Sequence, residues 1–205
     1  MGALSLWLLN PSKNEERMRQ LNIYAAEFIP IRMIISIAIV GAIAALVAVG
    51  YMNFSMTNAE HQVESEWLSL QSELYSMLGS GVARDLESSE GTEGTKRVHT
   101  FYLPDNLIYL AFGVDPDPHN TGVLETGLTE GGTVVCYQIS GCSKHIEWLD
   151  DQFCFREGRL EGEEWELGEE GFIIDGGGVS TIAFELVEQS GEEYLLIQAT
   201  DSYTI

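Results

Sequence analysis

The chain has 205 residues, with 10 Lys plus Arg against 32 Asp plus Glu, and a formal net charge of −22 at pH 7. This length suits one medium domain with an accessory segment, or two small domains, and excludes a large multidomain enzyme. The negative charge argues against a protein that binds nucleic-acid phosphates along a broad surface. Because 45% of the residues are hydrophobic, the chain can bury a core and is not of the disordered class.

The charge is distributed unevenly on the two sides of Met56. Residues 1–56 carry four basic and three acidic side chains, whereas residues 57–205 carry six basic and 29 acidic ones. The second part therefore has a formal charge of −23, and the first part is close to neutral. Such a contrast indicates two modules with different surroundings.

Met33–Phe54 contains no charged side chain and is almost entirely apolar. About 20 residues rising about 1.5 Å each match the roughly 30 Å hydrocarbon core of a bilayer, so this segment is predicted to be a transmembrane helix. All four basic residues of the first part precede it, and Arg32 adjoins it. The positive-inside rule then makes residues 1–30 a cytoplasmic leader and places the acidic module outside the cell, in a single-pass protein of the cell membrane.

An amphipathic helical pattern follows the apolar segment. Its apolar residues recur at spacings of four, three, four and three: Val63, Trp67, Leu70, Leu74 and Met77. One long helix over residues 31–80, with its transmembrane span at 33–54, is predicted to stop at Gly79-Ser-Gly81. The stripe packs either on the domain that follows, which we favour, or on a second copy in a coiled-coil seam. In the span, Gly41 would let helices approach closely.

The rest of the chain changes from a helical to a β pattern. Residues 81–97 include a polar Gly/Ser/Thr stretch and are predicted to be a solvated linker. Residues 98–205 are predicted to form an extracellular β-rich head. Seven strands are expected there: Val98–Leu103, Leu107–Val114, Thr133–Ile139, Phe153–Arg156, Phe172–Asp175, Thr181–Val187 and Tyr194–Thr200. The fold class is therefore α+β, with one long helix followed by an antiparallel β-sandwich-like head.

Three cysteines, Cys136, Cys142 and Cys154, all lie in the acidic module. Outside a cell one disulfide among them is expected, and all three pairings are open. A metal site that combines them with His145 is disfavoured because no Cys-x-x-Cys spacing is present.

Acidic segments offer oxygen ligands for a hard cation such as calcium, namely Asp115–His119, Asp150–Asp151 and Glu161–Glu170. None has the spacing of an EF-hand loop, so hydrated acidic loops are favoured and no cofactor is predicted, with calcium as the alternative. The four histidines are isolated, and no nucleophile, zinc or phosphate-loop motif accompanies them. We therefore predict no enzymatic activity.

The order of these parts resembles type IV pilin-like proteins, particularly those of archaea. The residues that carry the resemblance are Arg17 and Arg19 in the leader, Glu27-Phe-Ile-Pro30, the apolar Met33–Tyr51, the amphipathic Val63–Met77 and the β-rich Val98–Ile205. In that family the apolar half of the helix is stored in the membrane and later forms the filament core, while β heads tile the outside. The resemblance makes Glu27 the candidate for neutralising a neighbour's N-terminal amine.

The function expected from the sequence is that of a non-enzymatic, pilin-like subunit of a cell-surface filament or envelope assembly. Its partners would be the membrane, further copies of itself through the N-terminal helix, and other envelope or pilus proteins, but not nucleic acid. Glu27, Arg32, Gly41 and Trp67 are the candidate assembly residues. The alternative is a monomeric, signal-anchored ectodomain that binds a ligand, a cation or a neighbouring envelope protein.

Overall fold

A computed structural model describes residues 11–88, 93–161 and 164–199; within the first 30 residues it describes the side chain of Arg19 alone. The chain divides into two compact units, Met1–Asn53 and Phe54–Ile205. The elements in chain order are α1 (Pro11–Ser80), β1 (Arg84–Asp85), β2 (Lys96–Leu103), β3 (Leu107–Phe112), a 3₁₀ turn (Glu130–Gly132), β4 (Val134–Ile139), β5 (His145–Trp148), β6 (Phe155–Glu161), β7 (Glu164–Leu167), β8 (Phe172–Asp175), β9 (Gly178–Gln189) and β10 (Glu192–Ala199). The predicted α+β class is confirmed.

Helix α1 ends at the predicted glycine pair. The amide of Gly81 donates to the carbonyl of Met77 at 2.7 Å, which closes the last turn. A Cβ at Gly81 would collide with that same carbonyl oxygen. Glycine is therefore required where the chain leaves the helix.

Two β-sheets follow the helix. The first sheet has the order β1-β9-β10-β6-β7, and β2 lies beside β9 on the same side as β1. The second sheet has the order β5-β4-β3-β8 and is antiparallel throughout. The first sheet differs from the predicted antiparallel arrangement in two places, because β1 runs parallel to β9 and β6 runs parallel to β10.

One hydrophobic core joins the helix to both sheets. Phe112 of β3 lies at its centre, 6.2 Å from the ring of Trp67 in the helix and 5.9 Å from that of Phe101 in β2. Its ring also lies 5.5 Å from Phe155 in β6 and 5.9 Å from Phe184 in β9. The head is therefore formed by the second half of α1 together with both sheets, and the helix is part of its core.

A smaller apolar layer covers the opposite face of the second sheet. It contains Tyr109, Ala111, Val114, Val134 and Cys136, all buried. Because successive residues of a strand point to opposite faces, Leu110 and Phe112 face the main core while Tyr109 and Ala111 face this layer.

Residues 81–97 differ from the predicted solvated linker. They include β1, and the amide of Leu86 donates to the carbonyl of Glu188 at 3.0 Å. The amide of Thr95 donates to the carbonyl of Val82 at 2.8 Å. Residues 89–92, in the middle of the Gly/Ser/Thr stretch, lie outside the described residues.

The strands also extend beyond the predicted set. Strands β5 and β7 were not predicted, and β7 lies within the acidic run that was expected to be a hydrated loop. Strand β9 is 12 residues long and exceeds the predicted Thr181–Val187 at both ends. Glu166 of β7 and Glu188 of β9 are exposed, and exposed charged side chains give no apolar signal for a strand.

Candidate membrane and assembly segment

The apolar stretch of α1 is exposed along its entire length. Every residue from Ile31 to Phe54 is exposed, including large side chains such as Leu46 at 74% and Phe54 at 71%. Among the described residues this is the one helix long and apolar enough to cross a membrane. So much exposed apolar surface on all sides of a helix indicates a lipid environment or a neighbouring helix.

The candidate assembly residues of this segment lie at different points along α1. Gly41 has no heavy atom within 4 Å of an added Cβ, so its surface is open to a partner. Arg32 is exposed at the start of the apolar stretch and makes an interaction within the chain. Glu27 lies in the helix, but its side chain is outside the described residues.

The amphipathic stripe of α1 is buried in the core of the head. Val63, Leu70, Leu74 and Met77 are each 0% exposed, and Trp67 is 2% exposed. The indole Nε1 of Trp67 donates to Glu147 Oε2 in β5 at 2.8 Å. A coiled-coil seam formed by this stripe, the open alternative from the sequence, is therefore wrong because the stripe is already covered. Trp67 is a core residue, not a contact to another subunit.

The three cysteines are free, so the predicted disulfide is not formed. Cys136 points into the small apolar layer, whereas Cys142 packs on the main core at the other face of the second sheet. The thiol of Cys154 donates to the carbonyl of Asp151 at 3.0 Å. Burial, together with the nearby carboxylate of Asp115, raises the pKa of the Cys136 thiol to about 12.

The segment Asp115–His119, a candidate cation site, is held by an internal ammonium group. Lys144 Nζ lies 2.8 Å and 2.7 Å from the two carboxylate oxygens of Asp115 and 2.7 Å from the carbonyl of Asp117. The carboxylate of Asp117 instead accepts the amides of Thr121 at 2.7 Å and Gly122 at 2.8 Å. In the described part of the chain, no group of three or more His, Cys, Asp or Glu residues could hold a metal ion.

Burial alone would raise the pKa of the Asp117 carboxyl. The amide donors of Gly122 and Thr121 and the charge of Lys144 outweigh that effect, so its pKa lies below the ordinary value. The segment is thus a closed polar turn, stabilised by Lys144.

A second buried charge cluster was missed in the sequence. Glu185 of β9 is 1% exposed and accepts Arg84 Nε at 2.8 Å and Gln198 Nε2 at 2.6 Å. Arg84 Nη2 also donates to the carbonyl of Trp165 at 2.9 Å, which ties β7 to β1. Arg84 and Glu185 are 101 positions apart, so no local motif could have linked them.

An open groove of about 410 Å³ lies within the second unit, between α1 and the turn that joins β2 to β3. Its lining is largely polar and includes Asn58, Gln62, Asp105 and Asn106. Gln62 Nε2 donates to the carbonyl of Tyr102 at 2.6 Å, which fixes one wall. The amides and the carboxylate could bind a small polar ligand through hydrogen bonds.

Comparisons with models of protein families, with curated proteins and with solved structures found no match.

Proposed function

We propose that this chain is a non-enzymatic, pilin-like subunit, anchored in the cell membrane by its N-terminal helix and assembled through that helix into a surface filament or envelope assembly. The observation that carries the proposal is the apolar stretch Ile31–Phe54, exposed at every residue. Lipid covers such a surface before assembly, and neighbouring helices cover it afterwards. Residues 1–30 would be a cytoplasmic leader and the acidic head would lie outside the cell.

The buried stripe supports a proposal in which the apolar stretch of α1 serves assembly and the amphipathic part serves head packing. Since Trp67 and its stripe neighbours are taken up by the head core, the apolar surface left for assembly is the stretch that ends at Phe54. Its small residues, with Gly41 among them, allow close approach of helices.

The mature N-terminus of the native protein tests the proposal. We expect cleavage near Ala26, detected by mass spectrometry of the protein isolated from its own cells, together with filaments visible by electron microscopy. An intact Met1 in the membrane fraction, with no filaments, would contradict the proposed function.

A pair of leader variants sharpens the test. Glu27→Ala should abolish filaments, because the resemblance assigns the carboxylate of Glu27 to the neighbour's N-terminal amine. Glu16→Ala is the matched control, since it removes the same charge from the part of the leader that cleavage would discard. Equal filament numbers in both variants would count against this role of Glu27.

The groove beside Gln62 favours a second candidate, a monomeric, signal-anchored ectodomain that binds a small polar ligand. This candidate predicts an uncleaved chain that stays monomeric in detergent. The same N-terminal measurement therefore separates the two functions.

A further inference from the structure

The imidazole of His99 is a buried titratable group on the face of β2 that packs against α1. The residue is 7% exposed, and its ring centroid lies 4.6 Å from that of Phe101. Its Nε2 atom is buried and has no hydrogen-bond partner among the described residues. Because a buried polar atom without a partner destabilises a fold, this nitrogen points to a second state of the ring in which it is paired.

Two carboxylates of α1 lie beside the two ring nitrogens. Glu73 Oε1 lies 3.4 Å from Nδ1 of His99, and Glu66 Oε2 lies 3.6 Å from its Nε2. The two glutamates are seven positions apart, which is about two helical turns, so they lie on one face of α1 with Leu70 between them. The helix therefore presents one carboxylate to each nitrogen of the same imidazole.

The two strands around His99 contribute one further charge to its surroundings. Arg97 precedes His99 by two positions on the same face of β2, and it is exposed. Its positive charge opposes a proton on the ring, but solvent and salt screen an exposed guanidinium. Across the strand pair, His99 faces Ile182 of β9, whose neighbours on that face are Ser180 and Phe184. Strand β9 therefore places no ionisable side chain beside the ring at these three described positions.

The protonation state of the ring determines how many of these carboxylates it can bind. A neutral imidazole has one N–H and one lone pair, so it donates to one carboxylate and turns the lone pair toward the other. A protonated imidazole has an N–H at both nitrogens and donates to both carboxylates in charge-assisted bonds. Burial opposes the charged ring, whereas the two carboxylates favour it, and the side chain of Glu66 is only 21% exposed to screening solvent. The arrangement of Glu66 and Glu73 therefore fits the protonated ring.

We propose that His99 is a proton-dependent clamp, which holds α1 on β2 through Glu66 and Glu73 and tightens as the pH falls. Histidine side chains gain or lose their proton between about pH 5 and pH 8. Since the two carboxylates meet the ring only in the folded head, proton uptake by His99 stabilises the fold. This contribution is present at the acid end of the range and is lost as the pH rises. The clamp lies within the second unit and goes beyond the proposed function, because it does not depend on filament assembly.

Urea unfolding of the full chain in detergent micelles, followed by tryptophan fluorescence at about pH 5.5 and about pH 8, tests the clamp. His99→Gln keeps a side chain of similar size that cannot be charged. It should raise the unfolding constant, relative to the unchanged chain, by a factor that is about fivefold or more larger at the lower pH. His61→Gln is the control, because His61 also lies 3.4 Å from a glutamate but is 73% exposed, and its factor should be the same at both pH values. A factor for His99→Gln that does not change with pH would overturn the clamp.

Three variants of the helix complete the test and decide it even where His99→Gln does not fold. Glu66→Gln and Glu73→Gln each leave the histidine in place and remove one of its two carboxylates, so each should reduce the gain in stability between about pH 8 and about pH 5.5. Glu64→Gln removes the same charge from the same helix at a side chain that is 56% exposed, and it should leave that gain unchanged. An equal gain in all three variants would contradict the clamp.

Discussion

Lys144 Nζ lies 2.7 Å from Asp115 Oδ2, and both side chains are almost completely buried, at 10% and 12% exposure. The ammonium group neutralises the carboxylate of Asp115 from within the chain. It also donates a hydrogen bond to the carbonyl of Asp117. An internal ion pair therefore holds the carboxylate of Asp115 in place.

Removing the side chain of Lys144 should destabilise the fold, because the carboxylate of Asp115 would then be buried without a counter-charge. Lys144→Met is expected to lower the free energy of unfolding by about 3 kcal/mol or more, because Asp115 is left buried and unpaired. Arg159→Met is the control, since its pair with Glu170 is more than a third exposed on both sides and should be worth less than about 1 kcal/mol. Urea unfolding measures both, and equal losses would contradict this account.

The Asp117 carboxyl makes stability depend on acid pH. Its pKa in the folded chain lies below the ordinary value of 3.8, so its contribution is present above that value and is lost as the pH falls through the lower folded pKa. Asp117→Asn should therefore flatten the fall in unfolding free energy below about pH 4. An identical acid limb in both proteins would show that another carboxyl dominates.

The packing of the helix stripe gives a direct mutational test. Trp67→Glu should destabilise the head by about 3 kcal/mol or more, since it buries an unpaired charge beside Glu147 and removes the indole donor. Leu68→Glu, at a neighbouring position that is 53% exposed, should change stability by about 0.5 kcal/mol or less. A melting temperature that is unchanged in Trp67→Glu would reject the packing.

The free cysteines predict a simple thiol count. Denatured chain, purified without reductant, should react with three equivalents of a thiol reagent, whereas any disulfide would leave one. In the folded chain Cys136 should react last, since burial places its thiol pKa at about 12. Rapid labelling of Cys136 at pH 8, before Cys142 and Cys154, would contradict its place in the apolar layer.

The elements with a clear apolar period could be predicted from the sequence. The stripe that contains Trp67 follows a helical spacing, the uncharged stretch that ends at Phe54 has the length and apolar composition of a membrane span, and both lie in α1. Strand Phe172–Asp175 was predicted with its observed bounds. In these cases a local pattern of burial determines the local structure.

Features that depend on distant partners could not be predicted. Trp67 and Glu147 are 80 positions apart, and Asp115 and Lys144 are 29 positions apart. The cysteine prediction failed for a related reason. The sequence left all three pairings open, but the alternation of β4 turns Cys136 toward the smaller apolar layer, away from Cys142.

The burial of residues 59–77 of α1 in the core has a consequence for how proteolysis can separate the head from the apolar stretch. A protease that cuts between this segment and β1 would remove one wall of the core, including the side chains of Trp67 and Leu74. The released strands would then expose apolar surface and lose their packing, so no stable fragment of strands alone should accumulate. An intact head can be released only by a cut on the N-terminal side of Ala59, in or near the apolar stretch itself.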